Sequence, residues 1–346
     1  MIRLQLYLPA KPPLARTAFT LVELLVVIAI IGILVTLTVT AIAPSLENSK
    51  VTATRALIAQ IDGQLQRRLA AFNAMDQELE KTANYLFHSS LNSSNRATMT
   101  QAIAEVAVRK NRYLQEFPQR LLDLYGMDFQ SGTMEGVSPV QVTRDSPLVA
   151  TLNEINPPPT SISSSELLYL LLTKGRTLGN ESYETDQINT KYLVDSDKDG
   201  LMEIVDAWGN ELRFYNAPTA LFRPADPSST LSPVDLTKGA RVLFHTIPGD
   251  DKSPSPSSAE LYVDPFDKTG KLQTLSFNWS LNGTAMPPVS AENYYYPSTF
   301  FSFLIVSAGP DGDLGLHEPD ETGFARLAQP VSLDQINDNL SNHQRK

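Results

Sequence analysis

Apolar residues crowd into one uninterrupted run. Residues 24–43 read LLVVIAIIGILVTLTVTAIA, with no charge and with Thr36, Thr38 and Thr40 as the polar side chains. About 20 apolar residues cross the hydrocarbon core of a bilayer as a helix, and a threonine hydroxyl can bond back within that helix. Past Pro44 the pattern becomes a single stripe. Leu57, Ile61, Leu65, Leu69, Phe72 and Leu79 recur at helical spacing, which predicts a helix over 45–88 with Arg67, Arg68, Gln77, Glu78 and Lys81 facing elsewhere. The polar stretch 89–95 breaks it. Residues 96–125 predict another helix, with Pro118 a candidate interruption, and 126–160 a turn-rich connection ending in three prolines. Ser163 stands as a cap before the apolar run 167–172, which predicts a short buried helix.

From Glu211 onward the period shortens. Runs rich in aromatic and β-branched residues at 211–216, 241–245, 272–279 and 300–308 predict strands, and Asn282-Gly283 predicts a turn. The polar stretch 331–346 reads as a flexible tail. The fold class is α+β: a long N-terminal helix and an enlarged helical layer packed on a C-terminal antiparallel sheet.

Charge narrows the function. Against 28 Lys and Arg stand 38 Asp and Glu, a net charge of −10. With no long basic run, binding nucleic acid by neutralising phosphates is a poor fit, and no nucleic-acid partner is expected. Cysteine is absent, so disulfides and thiolate metal sites are excluded. The four histidines, His88, His245, His317 and His343, are far apart in sequence, against a histidine zinc site. No serine elbow, HExxH or phosphate loop occurs, so no catalytic residue is assigned and the chain reads as a non-enzyme. Arg3, Lys11 and Arg16 precede the apolar run, with no acidic residue before Glu23. That bias places the N-terminus in the cytoplasm and everything after Pro44 outside. A cleaved secretory signal would have a shorter apolar region. A plain signal anchor leaves Glu23, a carboxylate at the edge of the run, unexplained.

Residues 17–25, TAFTLVELL, running on through Ile28-Ala29-Ile30-Ile31-Gly32-Ile33-Leu34, resemble the N-terminal signal of type IV prepilins and type II secretion pseudopilins. The resemblance implies cleavage by prepilin peptidase between Ala18 and Phe19, and methylation of the new amino group. Ala18 stands where the family nearly always has Gly. Cleavage would remove three basic residues and leave 25 against 38, a net charge of −13. The resemblance also implies that Glu23 sets filament register by pairing with the Phe19 amino group of a neighbouring subunit, since either charge buried alone is costly.

Two acidic segments carry candidate metal chemistry. Asp195, Asp197 and Asp199, with Gly200 next, match the start of an EF-hand-type calcium loop, in which the Leu201 carbonyl and Asp206 at position 12 would complete the ligand set. No paired amphipathic helices flank it. Residues 206–215, DAWGNELRFY, resemble the Asp-Pro-Trp-Gly-Asn turn of major pseudopilins, with Trp208 a core residue and Asp206 a turn cap, a ligand or both. Residues 307–315, SAGPDGDLG, and the acidic residues after them resemble the calcium loop of major pseudopilins. That resemblance implies ligands among Ala308 (carbonyl), Asp311, Asp313, Glu318, Asp320 and Glu321. Oxygen donors without cysteine favour Ca²⁺ as the cofactor.

Together these observations predict a pilin-like organisation: leader 1–18, membrane and filament-core helix 19–43, helical rod and insert 44–190, antiparallel sheet with acidic loops 191–330, and tail 331–346. The implied function is a structural subunit of a type II secretion or type IV pilus-like filament. It would sit in the inner membrane by a single span, with its C-terminal domain periplasmic or extracellular. Its partners would be other pilin subunits, prepilin peptidase, an inner-membrane assembly platform and membrane lipid. The alternative is a membrane-anchored extracytoplasmic binding module that does not polymerise.

Overall fold

The computed structural model describes residues 20–90, 99–129, 140–141, 145–155, 159, 161–175, 188–216, 279–281, 284–285, 303–319, 331–332 and 334–343. The chain divides into two compact units, Met1–Ser49 and Lys50–Lys346. In the first, the described residues form the opening of helix α1, Leu21–Asn73, which contains Pro44. The stretch Leu21–Thr38 is long and apolar enough to cross a membrane, and none of it is buried by the protein. Thr36 and Thr38 donate their hydroxyls to the carbonyls of Gly32 and Leu34 at 2.8 and 2.7 Å, so neither presents an unmet donor to lipid.

In the second unit, α1 buries Leu57, Ile58, Ile61, Leu65 and Phe72. The helix predicted over 45–88 is two helices. Backbone bonds from Ala74 to Ala71 and from Met75 to Phe72 close a turn, and α2 starts anew over Asp76–Ser90. Asp76 and Glu78 lie in its first turn, where negative charge complements the helix dipole. Leu79, Ala83 and Leu86 remain buried across the break, so the apolar period runs through it unchanged. Arg68 is a further correction: it does not face away from the core but is 4% exposed. Its guanidinium donates to the carbonyl of Glu116 at 2.9 Å and pairs with the Glu116 carboxylate.

Glu116 ends α3, Gln101–Glu116, which is shorter than the predicted 96–125. Thr100 caps its start by accepting from the Ile103 N–H. At its end, Phe117 precedes Pro118 and takes φ −134°, ψ 61°, outside the helical region. A 3₁₀ turn follows at Leu121–Leu124. The connection read as turn-rich holds strands β1, Met127–Phe129, and β2, Val140–Gln141, and helix α4, Pro147–Asn153. These elements are too short for periodicity to register. Helix α5, Ser164–Lys174, forms where the serine cap predicts it.

Among the described residues, the strands form three small antiparallel sheets rather than one. The first has the order β2-β1-β6-β7, with β6 at Trp279–Leu281 and β7 at Thr284–Ala285. Leu281 pairs with Thr284, while the predicted Asn282-Gly283 turn itself lies outside the described residues. The second pairs β3, Leu193–Val194, with β4, Glu203–Ile204, so the acidic loop 195–202 connects a hairpin. The third has the order β5-β8-β9, from Arg213–Tyr215, Leu304–Ser307 and Leu340–Ser341. Strand β8 is buried along its length, as its Leu-Ile-Val sequence requires of a central strand. The predicted strand at 241–245 lies outside the described residues.

Strand β9 corrects the expectation of a flexible tail. Val306 pairs with Ser341 and Ser307 with Leu340, and Ile336 and Asn339 are buried. The helical layer and the third sheet meet in an aromatic cluster. Phe72, Tyr113, Phe117 and Phe303 have ring centroids 4.6 to 6.4 Å apart, and the Tyr113 hydroxyl donates to the Asn216 carbonyl at 2.7 Å. Among the described residues the architecture is α+β, with helices α1 to α5 and small antiparallel sheets.

Candidate functional site

Helix α5 places one side chain that the sequence reading missed. Ser164 and Ser165, in its first turn, fasten it to the strands behind. Ser165 accepts from the Ile204 N–H at 2.8 Å and donates to the Ile204 carbonyl at 3.0 Å, while Ser164 accepts from the Phe214 N–H. Glu166 follows. Its Oε2 accepts from the Ser163 N–H, and the Ser163 hydroxyl accepts from the Glu166 N–H at 3.2 Å, a reciprocal cap. Its Oε1 is buried and has no hydrogen-bond partner. One carboxylate oxygen from each of Glu166, Asp197 and Asp199 lies within 4.8 Å of the others. Burial first, and then the charges of Asp199 and Glu203, push the Glu166 carboxyl up to about 7 against the Ser163 hydrogen bonds. The Ser-x-x-Glu spacing announces the cap in the sequence, but nothing local says that the carboxylate meets a loop 30 residues on.

Within the β3–β4 loop, Asp197 accepts from the Asp199 N–H and Asp199 from the Leu201 N–H, at 3.2 and 2.8 Å. Asp195 Oδ1 is buried without a partner. Leu201 is buried, and Glu203 holds the loop by accepting from the Ser196 N–H and hydroxyl. Gly200, at φ +93°, takes the left-handed conformation that the sharp turn needs.

Asp206 is placed elsewhere. It is 2% exposed, and its Oδ1 accepts from the Trp208 and Asn210 N–H groups at 2.8 and 2.9 Å. Its Oδ2 accepts from the Ser307 hydroxyl at 2.6 Å. Asn210 adds a bond from Nδ2 to the Gly309 carbonyl at 2.8 Å. The two motifs that resemble major pseudopilins, 206–215 and 307–315, are thus clasped to each other. Asp206 is the clasp, with three acceptor positions spent on it. Trp208 is half-buried against the core, and Lys50 Nζ lies 6.0 Å from its ring centre.

The second acidic loop is held by hydrogen bonds and an ion pair. Ala308 is buried at the end of β8. Asp311 accepts from the Asp313 N–H at 2.9 Å, and Asp313 from the Gln335 side chain at 3.3 Å. Asn339 donates to the Leu314 carbonyl at 2.7 Å. Glu318 engages Arg213 through both oxygens, a neighbour that competes with any cation. Asp320 and Glu321 lie outside the described residues. On the described part of this loop, Asp311, Asp313 and Glu318 each accept from a protein donor.

At the other end of the chain, Thr20 and Glu23 cap α1 reciprocally. Glu23 Oε2 accepts from the Thr20 N–H and hydroxyl, both at 2.9 Å, and Thr20 Oγ1 accepts from the Glu23 N–H at 3.2 Å. The pair sits at the head of the exposed apolar helix. Ala18 and Phe19 lie outside the described residues. Residues 15–39 match the family model of the prokaryotic N-terminal methylation motif. The chain carries a prepilin-type N-terminal segment. No curated protein and no solved structure matches the chain.

Glu23 falls within the matched segment. This motif marks pilin-type structural proteins, which are not enzymes, and its apolar helix fits a single-pass membrane anchor. The match is confined to residues 15–39.

Proposed function

We propose that this chain is a pilin or pseudopilin subunit of a type II secretion or type IV pilus-like filament. It is inserted with its N-terminus in the cytoplasm, cut between Ala18 and Phe19, and methylated. An inner-membrane platform and a cytoplasmic ATPase then draw it out of the lipid to stack through its N-terminal helix, leaving the C-terminal domain periplasmic or on the filament surface, held by calcium. The observation that carries this reading is the methylation motif at residues 15–39, with Glu23 heading an apolar helix that the protein leaves uncovered.

Glu23 supplies the test. In the single chain its carboxylate caps its own helix through Thr20. In a filament the same charge would meet the Phe19 amino group of the next subunit. Glutamine preserves the cap and removes the charge. Glu23→Gln and Glu23→Ala are both expected to insert normally and to lower incorporation into chemically cross-linked oligomers by at least about tenfold, because the neighbouring amino group is left unpaired in apolar surroundings. If both variants cross-link as the unaltered chain does, the protein is a plain anchored module.

A further inference from the structure

We propose that Glu166, Asp197 and Asp199 form a divalent-cation site, filled by calcium, that joins helix α5 to the β3–β4 loop. The proposal deepens, and rests on, the reading that the C-terminal domain binds calcium. A 12-residue calcium loop takes its closing carboxylate from its last position. Here that position is Asp206, whose oxygens are committed to Trp208, Asn210 and Ser307. Glu166 supplies the missing carboxylate from outside the loop. Ser164 and Ser165 seat the first turn of α5 on β5 and β4, which brings Glu166 to the acid-rich start of the loop.

Two independent observations meet there. The first is the convergence of the three carboxylates, with an oxygen from each within 4.8 Å of the others. Oxygens on opposite sides of a calcium ion, each about 2.4 Å from it, are separated by about that distance. The second is Glu166 Oε1. The residue is 2% exposed, yet this oxygen has no donor, while its partner oxygen is taken by the Ser163 cap. A buried acceptor without a donor is rare in folded proteins and costly. Among the described residues, no lysine, arginine or histidine forms an ion pair with any of the three carboxylates. A cation supplies both the missing partner and the missing positive charge. With oxygen donors alone, a hard ion is selected, and an irregular loop shell suits calcium better than the strict octahedron of magnesium.

The test is calcium titration of the full chain in detergent micelles, by calorimetry and by the thermal midpoint with and without chelator. Glu166→Gln keeps the Ser163 cap, and Asp199→Asn keeps the acceptor for the Leu201 N–H. Each is expected to weaken calcium binding by about tenfold or more, while Asp311→Asn in the second acidic loop leaves it unchanged. In chelator, Glu166→Gln should melt no lower than the unaltered chain, because the Ser163 cap is kept and the uncompensated charge is gone. If the chain binds calcium and Glu166→Gln binds it equally well, the site is wrong and the calcium reading stands. If the unaltered chain binds no calcium, both fall.

Discussion

Asp206→Ala is expected to destabilise the C-terminal domain by about 3–5 kcal/mol, equally in calcium and in chelator. The substitution strands the Ser307 hydroxyl, which is fully buried, and the N–H groups of Trp208 and Asn210. Each unsatisfied buried donor costs about 1–3 kcal/mol, and the half-exposed turn lets water recover part of the total. Asp206→Asn keeps the oxygen that serves the two backbone donors and should lose about 1 kcal/mol, the ordinary worth of one exchanged hydrogen bond. Thermal melts of the three proteins check this. Were the Asp206→Ala penalty to vanish in chelator, Asp206 would act through a bound ion rather than as the clasp.

Arg68→Ala is expected to cost about 3 kcal/mol. Arg68 and Glu116 are both nearly buried, and the arginine also serves the last carbonyl of α3. Removing one partner of a buried ion pair leaves the other charge uncompensated, typically at about 3–5 kcal/mol. Arg112, 2.7 Å from the other Glu116 oxygen, holds the loss to the lower end. Lysine cannot reproduce the forked contact to carbonyl and carboxylate, so Arg68→Lys should fall between. Adding Glu116→Gln to Arg68→Ala should restore part of the loss in a denaturant series. No restoration would mean that the arginine stem, rather than the charge pair, carries the effect.

The contrast between these residues and the helical stripe explains what the sequence discloses. Leu57, Ile61, Leu65 and Phe72 are buried because a period of 3.6 residues forces them onto one face, and the Ser163 cap is a relation across three positions. Both are local, so both can be read. Arg68 meets Glu116 48 positions away, and Asp206 meets Ser307 101 positions away. Which face a charged side chain takes, and which carboxylate is already spent, is decided by those distant partners. The turn at residues 74–75 escapes notice for a related reason, since Leu79 keeps the phase of the stripe. The polar tail misleads because composition alone does not reveal that Leu340 and Ser341 complete a sheet through backbone hydrogen bonds. At the N-terminus the signal is compact: Phe19, Glu23 and the apolar helix lie within one short segment, and the methylation motif is recognised there.

The account turns on what happens at that segment. The decisive measurement is the intact and N-terminal mass of the protein isolated from a membrane that contains prepilin peptidase. The account predicts a chain that begins at Phe19 with one added methyl group on its amino terminus. A chain that begins at Met1, or one from which the whole apolar run has been cut as a secretory signal, would contradict it.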